Sequence, residues 1–163
     1  MGVELTWHGA PIEDATVVIG IFDGVHRGHQ AIIRRATEQS RPVVALTFDP
    51  HPLAILSPER RPTELLSLNE RIHQLLNNGV SSVAVIEFTA EFAAMLPERF
   101  IEDVLISKLH AASVVVGSNF RFGAKASGDV ELLKKCGNFP VLALNLESEL
   151  GSAVSSTRIR EAI

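Results

Sequence analysis

The sequence predicts an α/β fold, with an open and mostly parallel sheet of about five strands and helices on both faces. Two observations lead to this prediction. Apolar runs of strand length alternate along the chain with segments whose apolar residues recur at helical spacing. The runs are also rich in β-branched residues and nearly free of polar ones, which is typical of strands covered on both faces. Parallel strands of this kind are joined by helices that cross over the sheet.

The predicted strands are apolar runs of six to eight residues. They are residues 16–22 (TVVIGIF), 42–48 (PVVALTF), 81–88 (SSVAVIEF), 112–117 (ASVVVG) and 140–146 (PVLALNL). Between the second and third strands, residues 49–62 contain four prolines, which exclude a regular element over most of this loop.

The predicted helices separate these strands. In residues 29–39 the apolar residues lie on one side of a helix and the charged residues on the other. Ser67 with Glu70 three residues later forms a capping box at the start of the next helix, and Gly79 ends it. Further helices are predicted over residues 90–109, with a break near Pro97, and over residues 129–136 and 155–163.

Composition narrows the classes of function. The chain has 163 residues, 46% of them hydrophobic, which is typical of one globular domain spanning residues 1–163. The net charge of −4 leaves no basic surplus that would suggest nucleic acid as the main ligand. Cys136 is the only cysteine, the N-terminus has no secretory pattern, and no stretch approaches about 18 apolar residues. We therefore expect a cytoplasmic protein with no intrachain disulfide, no nucleic-acid partner and no membrane span.

Histidines, arginines, glycines and hydroxyl residues cluster directly after the predicted strands. Such clusters follow the first, second and fourth strands at residues 22–29, 48–52 and 117–123, and Ser155 begins the last helix after the fifth strand. The carboxyl ends of parallel strands meet at one edge of a sheet, and open α/β sheets bind ligands outside that edge. We therefore expect the clusters to form one shared pocket.

The cluster after the first strand favours binding of an anion. Gly24 and Gly28 let a ligand approach the backbone, and the following helix presents free N–H groups at its start. His26 and His29 are three residues apart, so both can face a phosphate and donate hydrogen bonds to it. The segment matches neither a P-loop nor the glycine motif of dinucleotide-binding proteins. A zinc site that includes Asp23, or a capped turn with solvent-facing histidines, are the alternatives on these residues alone.

Four motifs together resemble one protein family. They are IGIFDGVHRGHQ, TFDPHP, VGSNFRFGAKASGD and VSSTRIREAI, in that order between Thr16 and Ile163. The H-x-G-H pattern resembles the nucleotidyltransferase superfamily, and the other three motifs resemble the FMN adenylyltransferase module of bacterial FAD synthetases. This resemblance implies a Rossmann-like sheet. It also implies transfer of AMP from ATP to FMN, giving FAD and pyrophosphate by direct in-line attack with Mg²⁺.

The resemblance implies roles for individual residues. It makes His26, His29 and Arg160 catalytic, since they would stabilise charge on the phosphates of ATP. The implied ATP site consists of Gly20, Phe22, Gly24, His26, Gly28, His29, Ser155, Ser156, Thr157, Arg158 and Arg160. The residues implied for FMN binding are Asp49, His51, Asn119, Arg121 and Phe122. Mg²⁺ is expected to be held mainly by the phosphates of ATP.

Three of these positions have structural alternatives, and so does Asp129, which matches the G-D end of the third motif. Phe122 can pack in the core, and Arg121 can form an ion pair within the protein. Asp129 can cap the helix that follows it, and Arg158 can be an ordinary charge on a solvated helix face.

The resemblance also leaves alternatives for the function as a whole. Members of the family usually carry a C-terminal riboflavin kinase domain, so the chain is expected to be a standalone enzyme or the N-terminal half of a bifunctional one. Adenylyltransferases for phosphopantetheine or nicotinate mononucleotide share the H-x-G-H pattern but differ at the second and third motifs. A nucleotide- or flavin-binding module without turnover is the alternative from another class.

Overall fold

The computed structural model describes residues 3–22, 27–57, 59 and 67–145. In this part of the chain six strands form one sheet in the order β1-β4-β3-β2-β5-β6. The strands are β1 Leu5–His8, β2 Thr16–Ile19, β3 Val43–Asp49, β4 Ser82–Glu87, β5 Ser113–Gly117 and β6 Val141–Leu144. Strands β2 to β6 are parallel, and β1 is antiparallel to β4. The predicted α/β class with a mostly parallel sheet is confirmed.

Strand β1 was missed by the prediction of about five strands. It lies at the edge of the sheet, where Leu5 pairs with Ile86 and His8 with Val83. Leu5 and Trp7 pack against the core while Thr6 between them is exposed, so the strand alternates with a period of two. The alternation of apolar and polar residues extends over residues 3–8, so the sequence carried a strand signal that the prediction overlooked.

The helices have the following bounds in the described chain. They are α1 Arg27–Thr37, α2 Pro52–Leu56, α3 Leu68–Asn77, α4 Ala90–Ala93, α5 Pro97–Phe100 and α6 Val130–Cys136, with π-helical turns over Ile101–Lys108 and a 3₁₀ turn over Ala124–Ala126. None of the described helices has both the length and the apolar character needed to cross a lipid bilayer.

Prolines account for two of these helix boundaries. Pro97 begins α5, which confirms the predicted break in the segment 90–109. Pro52 begins α2, because the first helical position needs no backbone N–H, so the proline-rich loop contains one short helix. The helix predicted over residues 155–163 lies outside the described residues.

Two helices begin at the caps that the sequence predicts. Ser67 Oγ accepts a hydrogen bond from the Glu70 N–H, and Glu70 Oε1 accepts one from the Ser67 N–H at 2.9 Å. The bond from the Ser67 backbone is the larger cause that keeps the pKa of the Glu70 carboxyl below its usual value. At α6 the Asp129 carboxylate accepts from the Leu132 N–H at 3.0 Å. Asp129 therefore has the capping role that was one of its two predicted alternatives.

The sheet separates two apolar cores, as its alternating side chains require. Val18 faces the first core, where α1 and α3 contribute Ile33 and Leu75. Val17 faces the second core, where the π-helical segment and α6 contribute residues such as Leu105 and Leu133. Helices therefore cover both faces, as predicted.

The first predicted strand ends three residues early. It stops at Ile19 rather than at Phe22, because Phe22 has a φ of 58°, in a region that strands do not use. The fully buried ring of Phe22 turns back toward Gly20, where an added Cβ would lie 3.2 Å from the ring. Glycine at position 20 therefore leaves room for this ring.

Candidate active site

The carboxyl ends of the parallel strands lie at one edge of the sheet, and the segments that follow them are joined there. The Gly20 N–H after β2 donates to the carbonyl of Leu46 at 3.2 Å. The Phe88 N–H after β4 donates to the carbonyl of Asp49 at 3.0 Å, and the Ser118 N–H after β5 donates to Leu144 at 2.8 Å. The strand order turns back at β2, which lies between β3 and β5, and such a switch point opens a crevice for a ligand.

His29 lies in the first turn of α1, at this edge of the sheet. Its ring is 1% exposed and meets the ring of Phe22 edge-on, with the ring centroids 4.9 Å apart. The helix begins beyond the end of β2, so its positive end favours an anion at the same edge. Binding of phosphate by His29 stays a prediction, and the imidazole packs against Phe22.

Thr47 positions the backbone between β2 and α1. Its side chain is fully buried in β3, and its hydroxyl donates to the carbonyl of Ile21 at 3.0 Å. Ile21 directly precedes Phe22, whose ring contacts His29. One buried hydroxyl therefore connects the central strand of the site to the turn that leads to the histidine.

Of the two predicted FMN-binding residues near the end of β3, Asp49 lies beside a buried arginine. Asp49 ends β3 with its side chain 42% exposed, whereas His51 is buried at the start of α2. Arg71 extends from α3 to the same place, and its Nη2 donates to the carbonyl of Phe48 at 3.1 Å. The same nitrogen lies 3.8 Å from Oδ1 of Asp49. The sequence prediction did not include Arg71.

The loop after β5 carries two further residues predicted for FMN. Asn119 and Arg121 are both exposed on this loop. A backbone hydrogen bond from the Phe120 N–H to the carbonyl of Gly117, at 3.0 Å, closes the turn that contains Asn119. Two more between Phe122 and Gly128, at 3.2 and 2.8 Å, close the segment that follows Arg121. The amide and the guanidinium are therefore exposed between two closed turns.

Phe122, predicted for FMN binding with core packing as the alternative, is buried. Its ring stacks on Phe120 at a centroid distance of 5.3 Å and meets Phe100 at 5.5 Å. Phe100 contacts Phe92, which in turn packs on Phe48 at the end of β3. The burial favours the packing alternative for Phe122, and these rings connect the loop after β3 with the loop after β5.

A large part of the predicted ATP site lies outside the described residues. This holds for Gly24, His26, Ser155, Ser156, Thr157, Arg158 and Arg160, and their roles stay predictions. Gly28 belongs to the first turn of α1. Within the described ranges, no group of three or more His, Cys, Asp or Glu side chains is arranged to hold a metal ion.

Comparison with known proteins decides which family the chain represents. A sequence model of the family described as FAD synthetase matches residues 10–158. The chain belongs to the FAD synthetase family. The resemblance inferred from the four motifs is thereby confirmed.

Relatives of this chain are named as bifunctional proteins. The bifunctional riboflavin kinase/FMN adenylyltransferase of Escherichia coli (strain K12) is 37% identical over 161 residues, which cover 94% of this chain and 51% of the relative. A putative bifunctional riboflavin kinase/FMN adenylyltransferase of Geobacillus thermodenitrificans is 38% identical, covering 95% of this chain and 86% of the relative. The chain thus spans about half the length of the Escherichia coli relative.

A solved structure shares the fold. A crystal structure described as a macrolide-efflux protein from Streptococcus pneumoniae is 32% identical to this FAD synthetase chain, with a TM-score of 0.75. The match covers 95% of this chain and 52% of that one. It supports the Rossmann-like architecture implied by the motifs.

Two residues at the site of this FAD synthetase chain were missed by sequence reasoning. Arg71 occupies a helical position between Leu68 and Leu75, on the stripe of α3 that faces the core. A charged residue on such a stripe signals a buried and paired group. Thr47 is the single hydroxyl in the otherwise apolar core of its strand. The sequence prediction gave it no role, because the carbonyl that it contacts, that of Ile21, is distant in sequence.

Proposed function

We propose that this FAD synthetase chain transfers AMP from ATP to FMN, forming FAD and pyrophosphate. One observation carries the proposal: the described residues implied for ATP and for FMN follow three neighbouring strands, β2, β3 and β5, at a single edge of the sheet. These are His29 on the ATP side and Asp49, Asn119 and Arg121 on the FMN side. The family membership and the names of the relatives support the same reaction.

In the proposed reaction a phosphate oxygen of FMN attacks the α-phosphorus of ATP. The new P–O bond forms the diphosphate of FAD. The bond from the α-phosphorus to the bridging oxygen breaks, and its electron pair leaves with pyrophosphate. The phosphate of FMN is already anionic at neutral pH, so no side chain has to activate it. Catalysis then consists of holding two anions in line and stabilising the charge that develops between them.

The described residues suit this task. The start of α1 and the imidazole of His29 favour the phosphates of ATP. Across the crevice, exposed Arg121 offers a guanidinium and Asn119 an amide for the phosphate of FMN. Mg²⁺ enters bound to ATP as part of the substrate, with the phosphates as its main ligands.

The proposal is tested by incubating the chain with ATP, Mg²⁺ and FMN, and by following FAD and pyrophosphate by chromatography. Equal amounts of the two products are expected. Binding of both substrates without FAD would instead favour a module that binds nucleotide and flavin without turnover. Turnover of phosphopantetheine or nicotinate mononucleotide, with none of FMN, would contradict the choice of substrate.

The role of His29 is tested by His29→Ala. FAD formation per folded molecule should fall by about 10²–10³, while the Kd for FMN changes little, because the imidazole acts on the phosphates of ATP. His73→Ala, at an exposed position of α3, is the matched control and should keep wild-type activity. Since His29 packs on Phe22, His29→Asn and a thermal unfolding curve separate chemistry from stability. Wild-type rates in both His29 variants would remove the imidazole from the mechanism.

The wider setting of the chain is part of the proposal. We place a riboflavin kinase domain C-terminal to it in the full-length protein, because the Escherichia coli relative is named as bifunctional and only 51% of its length is covered by this chain. A cytoplasmic location fits the single cysteine, Cys136, which is free and exposed. Expression of the full-length gene product and assays of both activities on that one protein test this arrangement.

A further inference from the structure

Arg71 is a buried cation beside the proposed flavin site. The residue is 2% exposed, on the side of α3 that packs on the sheet. A buried guanidinium is destabilising unless its charge is paired and its N–H groups are hydrogen-bonded. Nη2 of Arg71 meets both conditions at the end of β3, through the carbonyl of Phe48 at 3.1 Å and the carboxylate of Asp49 at 3.8 Å.

The contact with Phe48 holds the loop that follows β3. Phe48 and Asp49 are the last two residues paired with β4, opposite Ile86 and Glu87. Beyond them the chain leaves the sheet toward His51 and α2. The guanidinium therefore connects α3 to the point where this loop begins, and so fixes the direction in which the loop leaves the sheet.

The contact with Asp49 has an electrostatic consequence. The carboxylate of Asp49 is 42% exposed at the edge where the phosphate of FMN is proposed to bind. Two anions at one edge repel each other, and the repulsion grows where water is excluded. The guanidinium of Arg71 stays protonated at every physiological pH, so it offsets the charge of the Asp49 carboxylate from the buried side.

We propose that Arg71 is a positioning residue for FMN. It holds the end of β3, at Phe48 and Asp49, in place, and it offsets the charge of Asp49 so that the phosphate of FMN can bind beside that carboxylate. This inference rests on the proposed function. Arg71 then affects the affinity for FMN and not the chemical step, because it contacts Asp49 and acts on the substrate only by offsetting the charge of that carboxylate.

The first test replaces the charge by an apolar chain of similar length. Arg71→Met should raise the KM for FMN at least tenfold, while the KM for ATP and the kcat per folded molecule stay within about twofold. Arg71→Lys keeps the charge without the planar fork, so its KM for FMN should lie between those of Arg71→Met and wild type. Arg35→Met, in the last turn of α1, is the matched control and should leave both KM values unchanged.

A double variant tests the coupling through Asp49. Asp49→Asn in the Arg71→Met background removes the carboxylate charge that is no longer offset, so it should lower the KM for FMN again relative to Arg71→Met alone. A purely structural role predicts the opposite pattern. The total rate would then fall because a smaller fraction of the protein is folded, whichever substrate is varied. Asp49→Asn would not lower the KM for FMN in the Arg71→Met background.

A direct titration of FMN with the protein separates this inference from the proposed function. The quenching of flavin fluorescence reports binding and gives the Kd for FMN. If wild-type protein makes FAD and Arg71→Met keeps the wild-type affinity for FMN, the role of Arg71 is overturned and the function stands. If wild-type protein binds FMN without making FAD, the reaction is overturned, and the titration still decides on Arg71. A wild-type chain that does not bind FMN overturns both. If Arg71→Met does not fold, an unchanged Kd for FMN in Arg71→Lys overturns the inference.

Discussion

The hydrogen bond from Thr47 to Ile21 offers a direct test of how the sheet supports the site. Thr47→Val replaces the hydroxyl by a methyl group of similar size, so no cavity forms and the backbone preference for a strand is kept. The carbonyl of Ile21 then loses its 3.0 Å partner in a place where both residues are buried. What remains is a buried acceptor without that donor.

The expected loss of stability follows from that geometry. An unsatisfied buried acceptor costs about 1–3 kcal/mol. For a domain of this size each kcal/mol lowers Tm by about 2–4 °C, so Tm should fall by about 2–12 °C. FAD formation should fall as well, because Ile21 directly precedes Phe22, which packs on His29.

Thermal unfolding followed by circular dichroism measures this loss, with Thr37→Val as the matched control. The hydroxyl of Thr37 donates to the carbonyl of Arg34 at an exposed position, where water replaces the lost bond. Thr37→Val should therefore leave Tm nearly unchanged. Equal Tm values for both variants and wild type would refute the reasoning, since the buried bond would then contribute nothing.

Two further predictions concern the loop after β5 and the start of α3. Gly128→Ala should lower Tm, because a Cβ there would lie 2.7 Å from Cβ of Pro97 and 2.8 Å from the ring of Phe122; a Tm equal to that of wild type in thermal unfolding would contradict the crowding. Glu70→Gln should flatten the dependence of stability on pH. The lowered pKa of Glu70 means that the capping contribution of its carboxylate is present above the usual pKa of 4.5 and is lost as the pH falls through the lowered value. Urea unfolding at a series of pH values from 6 downward measures this, and parallel curves for Glu70→Gln and wild type would show that the bond to Ser67 does not depend on the charge.

Local patterns predicted most of the elements because their causes are local. The capping box of Ser67 and Glu70 involves residues three positions apart, and it is present as predicted. The break at Pro97 follows from one residue that lacks a backbone N–H. Strand β1 also has a local cause, the alternation of apolar and polar residues over residues 3–8, which the prediction overlooked.

The sequence by itself determined the α/β class, the helices on both faces, and the edge of the sheet at which the described polar residues after β2, β3 and β5 lie. Each of these follows from spacing along the chain, since strand runs, crossover helices and strand ends are properties of neighbouring residues. The four motifs also determined the family from the sequence alone, because a motif is defined by the order of its residues along the chain and not by distances in the folded structure.

Only the tertiary structure decided which side chains support the site from within. Arg71 contacts a carbonyl 23 positions away, and Thr47 one 26 positions away, so no local pattern contains either pair. His29 packs on Phe22, which is buried at a positive φ that an apolar run does not predict. The physical reason is common to all three: a buried polar side chain is defined by the partner it meets, and that partner is brought to it only when the sheet and its helices pack.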